Sequence, residues 1–242
     1  HVTDMKEIAN SIARAVEGAE TMAGFTINNV ICSLSGGRPI TKIVRNKINI
    51  ENGKVEKNDI SKLLKFKNLY EIDDYKLLSS SVIKYHLDNN TTVDNPIGIF
   101  TNTLSVEISC TFGQSSVIKN ISSAINLCHL SIQKFFISSE ASGISTMVKD
   151  ERKNGAIIID LGANITSVGV FLNDKIIFSD SIPIGGLHIT SDIVRGLGTK
   201  SEDAEKIKIL HGSCLAHETD EYINIDIPII SDQGDIVSQK IP

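Results

Sequence analysis

The segment Asp160-Leu-Gly162-Ala-Asn164-Ile-Thr166 places a carboxylate, a glycine, an amide and a hydroxyl within seven residues. The apolar run Ile157 to Ile159 precedes it, so the carboxylate falls at the end of a strand and the others in the turn beyond. Glycine there lets backbone N–H groups approach phosphate oxygens, threonine adds a hydroxyl donor, and an aspartate at a strand end can hold a water of a hydrated cation. The same residues also make a plain β-hairpin, because glycine and asparagine are favoured in turns on conformational grounds alone. The local pattern leaves both readings open.

Two further groups follow in order. Gly185-Gly186 comes after an apolar run ending at Pro183 and before a helix expected from Thr190 to Leu197. Glycine permits close approach of a sugar or phosphate, and a helix amino end is weakly positive; a flexible loop before a helix is the plainer alternative. Ser201 then caps a helix in which Glu205 and Lys208 are i, i+3 neighbours, a spacing that also suits an ordinary solvated ion pair. Three such groups in order within about fifty residues are less common than any one of them. His211, Cys214 and His217 have helical spacing for a metal but lack a fourth ligand, and Gly212-Ser213 points to a helix end there. Asp180 and Asp192 are available as a kinase base but stand in no motif.

The elements that must position these groups are legible from periodicity. Ile157 to Asp160, Val168 to Leu172 and Lys175 to Asp180 read as three short strands joined by tight turns, the second at Asn173-Asp174. Upstream, Asp4 with Glu7 caps a helix whose Met5, Ile8, Ala9, Ile12, Val16, Ala19 and Met22 form one stripe up to Gly24. Its alanines favour packing on a sheet, and Glu17 and Glu20 oppose a membrane role. Strand patterns cover Val30 to Leu34, Thr41 to Ile50, Leu77 to Leu87, Leu104 to Thr111 and Ile132 to Ile137, with a hairpin signal at Asn52-Gly53. Short helices are expected after Asn58 or Asp59, from Ser115 or Ser116, and over Glu140 to Val148, with a polar break at Lys149 to Asn154.

At 242 residues, 41% hydrophobic and 22% charged, with a formal net charge of -5, the chain has ample material for a buried core. The acidic balance argues against a nucleic-acid partner. No apolar run approaches the roughly 18 residues that span a bilayer. Four widely spaced cysteines suit a reducing, cytoplasmic setting.

With these groups in place, the sequence resembles the actin, sugar-kinase and heat-shock-chaperone ATPase superfamily, and within it the FtsA family. IIIDLGANITSVGVFLNDKIIFSDSIPIGGLHITSDIVRGLG, followed by SEDAEKIKILHGS, is similar to that family's second phosphate loop, glycine turn and adenine-side helix. INNVICSLSG, NPIG and VIKNISSAINLCHLSIQKFF are similar to the segments around its inserted subdomain, called 1C. The resemblance implies an α/β actin-like (ribonuclease-H-like) fold, incomplete, with an inserted α+β subdomain. By it, residues 1–34 belong to subdomain 1A, 35–111 to 1C, 112–155 to 1A again, 156–198 to 2A, and 199–242 begin 2B.

The resemblance further implies ATP and Mg²⁺ as cofactors of the full-length protein. Asp160 would lie near the magnesium water shell, Gly162, Asn164 and Thr166 near the phosphates, and Gly186, Glu205 and Lys208 near ribose or adenine. Ala163 and Asn164 stand where the family loop commonly has glycines. A chain that starts at His1 without a preceding phosphate loop reads as an internal fragment, inactive alone. The whole protein would be at most a weak ATPase. It would form filaments with itself, bind the FtsZ C-terminal tail, and recruit later division proteins through 1C. It would sit at the inner face of the cell membrane at the division site, held by a C-terminal helix. The rivals are an actin homologue of pilus assembly resembling PilM, a sugar or carboxylate kinase, and a bare interaction module that has lost nucleotide binding.

Overall fold

Helix α1 (Met5–Ala23) begins where the Asp4 carboxylate accepts hydrogen bonds from the N–H groups of Lys6 and Glu7, at 2.7 and 3.2 Å. It ends at Gly24, whose φ of 75° supplies the left-handed cap. These residues belong to a computed structural model that describes residues 4–65, 72–88, 90–215, 225–230 and 236–241. The apolar stripe of α1 has the expected spacing, with Met5, Ile8, Ala9, Ile12 and Val16 half-buried. No residue of the helix is fully buried, unlike a core helix packed on a sheet. Its neighbour is a helix instead: the Cys128 thiol, at the end of α3 (Ser115–Leu127), lies 3.2 Å from the Ala9 carbonyl.

The chain divides into two compact units, one formed by His1–Asp160 with Ser167–Ile182, the other by Leu161–Thr166 with Pro183–Pro242. In the first, β1 (Asn29–Leu34) pairs in parallel with β6 (Ser131–Ile137). Between them in sequence lie β2 (Ile40–Asn49), α2 (Lys57–Leu64), β3 (Tyr75–His86), β4 (Thr92–Val93) and β5 (Thr103–Gln114). The strands form an antiparallel sheet in the order β2-β5-β3-β4. Alternate residues of the inner strand β5, Leu104, Val106, Ile108, Cys110 and Phe112, carry the core. Leu63 of α2 completes it, and the Asn46 side-chain amide fixes that helix by donating to the Leu63 carbonyl at 2.7 Å.

The turn at Asn52-Gly53 exists, with Gly53 at φ 64°, but joins no hairpin. β2 pairs with β5, Ile40 opposite Phe112 and Asn49 opposite Thr103, because burial of β5 on both sides outweighs proximity in sequence. The cap of α2 is Glu56, with Asp59 three residues inside the helix accepting the Glu56 N–H at 2.9 Å.

Beyond β6 come α4 (Ser138–Thr146), α5 (Lys149–Asn154) and a three-stranded sheet of order β7-β8-β9, with β7 at Ala156–Leu161, β8 at Thr166–Leu172 and β9 at Lys175–Ile182. Ile137, Phe171 and Ile176 form its core, with the Phe171 ring against the place a side chain on Gly143 would occupy. Asn173 and Asp174, at φ 53° and 62°, make the expected two-residue turn. The polar stretch 149–154 is helical rather than a break. Glu151 accepts the Val148 N–H at 2.9 Å, and acids in the first turn with bases in the last suit the helix dipole. The Ser109 hydroxyl donates to the Ile176 carbonyl, and the hydroxyls of Thr41 and Ser179 meet at 2.7 Å, tying the inserted sheet to β9.

The second unit holds the turn 161–166, α6 (Gly186–Leu197), α7 (Ser201–His211) and the antiparallel pair β10 (Ile225–Ile230) and β11 (Ile236–Ile241). Helix α6 starts four residues before the expected Thr190, at the second glycine of the pair. The Gly185 N–H donates to His188 Nδ1 at 3.1 Å, and this local closure fixes the earlier start.

Candidate functional site

The second unit brings two glycine segments together through their backbones. Gly162 donates its N–H to the Ile165 carbonyl at 3.0 Å, closing the turn. Gly186 donates to the Gly162 carbonyl at 3.0 Å and Leu187 to the Ala163 carbonyl at 2.8 Å. The Thr166 hydroxyl donates to the Ile184 carbonyl at 2.7 Å. A Cβ on Gly185 would overlap the Gly162 carbonyl and come within 2.6 Å of the Ala163 oxygen, so this packing requires glycine at 185. At Gly186, the glycine that the family resemblance implicates, a Cβ would meet only Lys208 Nζ at 3.5 Å. Adjacent glycines give no signal that separates the two; the facing backbone does.

The first donors of α6 are therefore occupied. The N–H groups of Gly186, Leu187 and His188 all bond to carbonyls of the turn or of Gly185. The Gly162 N–H and Thr166 hydroxyl are engaged as well. What the turn presents outward is its tip, where Ala163 and Asn164 are exposed.

Between α6 and α7 lies a polar cluster. Lys208 Nζ is 2.7 Å from Glu205 Oε2, 2.9 Å from Thr190 Oγ1 and 3.2 Å from the Gly186 carbonyl. The Thr190 hydroxyl also donates to Glu205 Oε2. Hydrogen bonds from Lys208 and then Thr190 hold the Glu205 carboxyl below its usual range, against a smaller opposing effect of burial. Thr190 is buried, and a threonine within a helix carries no distinguishing pattern in the sequence. Gly162, Thr166, Gly186, Glu205 and Lys208 thus share one unit with Asn164 at the turn tip.

Asp160 belongs to the first unit, where Ser142 of α4 donates to its Oδ2 at 3.1 Å. Among the described residues, Asp180 accepts from its neighbour Ser181 at 2.7 Å, and Asp192 faces Arg195 at 4.0 Å on the surface. Helix α7 ends at His211, Cys214 lies beyond it, and His217 is outside the described residues. Among the described residues, no group of three or more His, Cys, Asp or Glu side chains is arranged to hold a metal. No described helix is long and apolar enough to cross a membrane.

Two other polar groups lie in the first unit, each missed in the sequence because its members are far apart there. Asp88 accepts from the Asn102 and Thr103 N–H groups at 2.8 and 2.9 Å and from the Thr101 hydroxyl. Glu107 is bridged by Arg45 at 2.6 Å, with His86 Nε2 3.6 Å away, beside a cavity of about 440 Å³.

The strand order, the inserted sheet and the glycine segments define an incomplete actin-like ATPase fold carrying an inserted domain. The same fold appears in the PilM–PilN type IV pilus biogenesis complex, with TM-score 0.55 and 14% identity over 85% of this chain and 56% of that one. MreB5 of Spiroplasma citri bound to ADP matches at TM-score 0.43 and 21% identity over 51% of this chain and 39% of that one. The family model described as cell division protein FtsA matches residues 157–242, and that described as the SHS2 domain inserted in FtsA matches 36–111. The cell division protein FtsA of Rhizobium meliloti (strain 1021) is 32% identical over 232 residues, 96% of this chain. The chain belongs to the FtsA family. It spans about half, 52%, of that relative's length.

Proposed function

We propose that the full-length protein is a cell-division scaffold that binds ATP with Mg²⁺, polymerises, and tethers FtsZ filaments to the inner face of the membrane at the division site. The observation that carries the nucleotide reading is the Thr190–Glu205–Lys208 cluster beside the paired glycine segments, in a chain of this family. In this reading Gly162, Asn164 and Thr166 line the phosphate side, and Gly186, Glu205 and Lys208 the ribose or adenine side. The exposed turn tip at 163–164 offers the approach to phosphate that the engaged Gly162 N–H does not. Asp160, to whose Oδ2 Ser142 donates, suits a water of the magnesium shell. The bound cation would neutralise phosphate charge, and any hydrolysis would be slow, making the protein at most a weak ATPase.

The subdomain division goes with this reading: 1A at 1–34 and 112–155, 1C at 35–111, 2A at 156–198 and 2B from 199. Subdomain 1C recruits later division proteins, 2B receives the FtsZ C-terminal tail, and a C-terminal amphipathic helix of the full-length chain attaches it to the membrane. The match to a pilus protein at 14% identity is a likeness of fold and lends no weight to a pilus role.

Calorimetry with Mg-ATP on the full-length protein tests the nucleotide reading: saturable binding is expected there, and much weaker binding by residues 1–242. A full-length protein that takes up no nucleotide would sink the site assignment. Capture of an FtsZ tail peptide by the full-length protein tests the scaffold reading in the same way.

A further inference from the structure

The two faces of the inserted sheet differ in character. One carries Leu104, Val106 and Ile108 of β5 into the core with Leu63 of α2. Residues opposite one another in a ladder share a face, so the register places Arg45 and Lys47 of β2, Glu107 of β5, and Lys84 and His86 of β3 together on the other. Toward one end of the strands β9 closes this second face, through the Thr41–Ser179 and Ser109–Ile176 bonds. Toward the other end it borders the cavity of about 440 Å³, in whose lining Glu107 is the one acid. Three permanent cations thus face a single carboxylate, in a chain whose net charge is -5. That carboxylate is already engaged. Arg45 Nε and Nη2 both hold Glu107 Oε1, at 2.7 and 2.6 Å, and these bonds leave Nη1 to another acceptor. The arginine is 77% exposed and the carboxylate 18%, so Arg45 is the member that can turn outward. His86 Nε2 lies 3.6 Å from the same oxygen, buried and without a hydrogen-bond partner among the described residues. Glu107 therefore has a second partner waiting when Arg45 leaves it.

We infer that this face is a docking groove for an acidic segment of a partner protein, with Arg45 passing from Glu107 to a partner carboxylate and Lys47 and Lys84 flanking it. The inference rests on the reading of 1C as a recruiting subdomain and gives the chemistry of what is recruited. Charge complementarity sets the sign of the partner. The recess selects a peptide over a lipid surface, because a carboxylate on a side chain can enter it and meet the polar groups of Asn90 and Thr92, whereas a flat bilayer cannot. Glu107 competes with the partner for Arg45. A single acid would only exchange one ion pair for another, so binding needs a segment that also reaches the two lysines.

The test uses the full-length protein and a fluorescein-labelled peptide alternating glutamate and serine, with binding read by anisotropy. Saturable binding that weakens as salt rises is expected. Lys47→Glu should weaken it roughly tenfold, since a repulsion replaces an attraction, and Glu107→Gln should tighten it about threefold by freeing Arg45. Lys6→Glu on α1 makes the same change in net charge and should leave the Kd within about twofold. Lys47 and Lys6 are both exposed, so neither substitution disturbs the core. No binding by the wild type, equal losses in Lys47→Glu and Lys6→Glu, or weaker binding by Glu107→Gln would each overturn the inference. So would a Lys47→Glu protein that keeps the peptide but loses vesicles of equal parts phosphatidylglycerol and phosphatidylcholine, which would give the face to a lipid surface. In cells, Lys47→Glu should impair the arrival of later division proteins at the septum. Normal arrival despite lost peptide binding would overturn the recruiting reading with the acidic site intact, whereas a wild type that recruits but binds no acidic peptide would overturn this inference alone.

Discussion

Gly185 lies so close to Gly162 that a Cβ at 185 would come within 2.3 Å of the Gly162 carbonyl oxygen. That oxygen accepts the Gly186 N–H, so the two segments are held by backbone alone and leave no space for a methyl group. Gly185→Ala must push the segments apart and break the bonds at Gly162 and Ala163.

The expected cost of Gly185→Ala is about 1–3 kcal/mol, as for other overpacked sites, together with faster amide exchange at Gly186 and Leu187. Gly186→Ala, with only the end of Lys208 near its Cβ, should cost far less. Thermal unfolding and hydrogen exchange of both variants check this. Equal destabilisation by the two would show that the close approach at 185 does not hold in solution.

This contrast marks where sequence reasoning stops. Alternation made β5 legible, since Leu104, Val106, Ile108, Cys110 and Phe112 all point into one core. The turn at Asn173-Asp174 was legible because its chemistry is local. Asn52-Gly53 has the same local chemistry, but the partner of β2 is chosen by burial of β5, which no dipeptide encodes. Helix α5 escaped notice because capping and dipole charges, rather than an apolar stripe, support Lys149–Asn154. In the site, Glu205 and Lys208 were visible from their spacing. Thr190 acquires its role only when α6 lies against α7, and Gly185 only when the turn 161–166 meets it.

Asp88 predicts an acid-dependent term in stability. The Thr101 hydroxyl and then the N–H groups of Asn102 and Thr103 hold its carboxyl well below the ordinary carboxylate range. A group whose folded value is depressed contributes stability that is fully present above its unfolded value, near 3.9, and is lost as pH falls through the folded one. The Tm of the wild type should therefore fall below about pH 4 more steeply than that of Asp88→Asn, and the two should converge in strong acid. Parallel Tm curves for the two proteins would count against the ionised Asp88 knot.

Glu140 works in the opposite direction. Burial raises its carboxyl above the ordinary range, Lys134 and Lys175 offset this only in part, and among the described residues Oε2 has no hydrogen-bond partner in a cavity lined by Ser81, Arg152, Phe171 and Asp174. The folded state therefore holds the proton more tightly than the unfolded chain, so Glu140 penalises folding above its folded value. The penalty fades as pH falls toward the unfolded value near 4.3. Glu140→Gln removes the charge and keeps the shape, and should stabilise the protein at pH 7 by about 1 kcal/mol. The advantage in Tm over the wild type should shrink by pH 5. A loss of stability at pH 7 would mean instead that Lys134 or Lys175 closes onto the carboxylate and that the ionised form is the one the fold has accommodated.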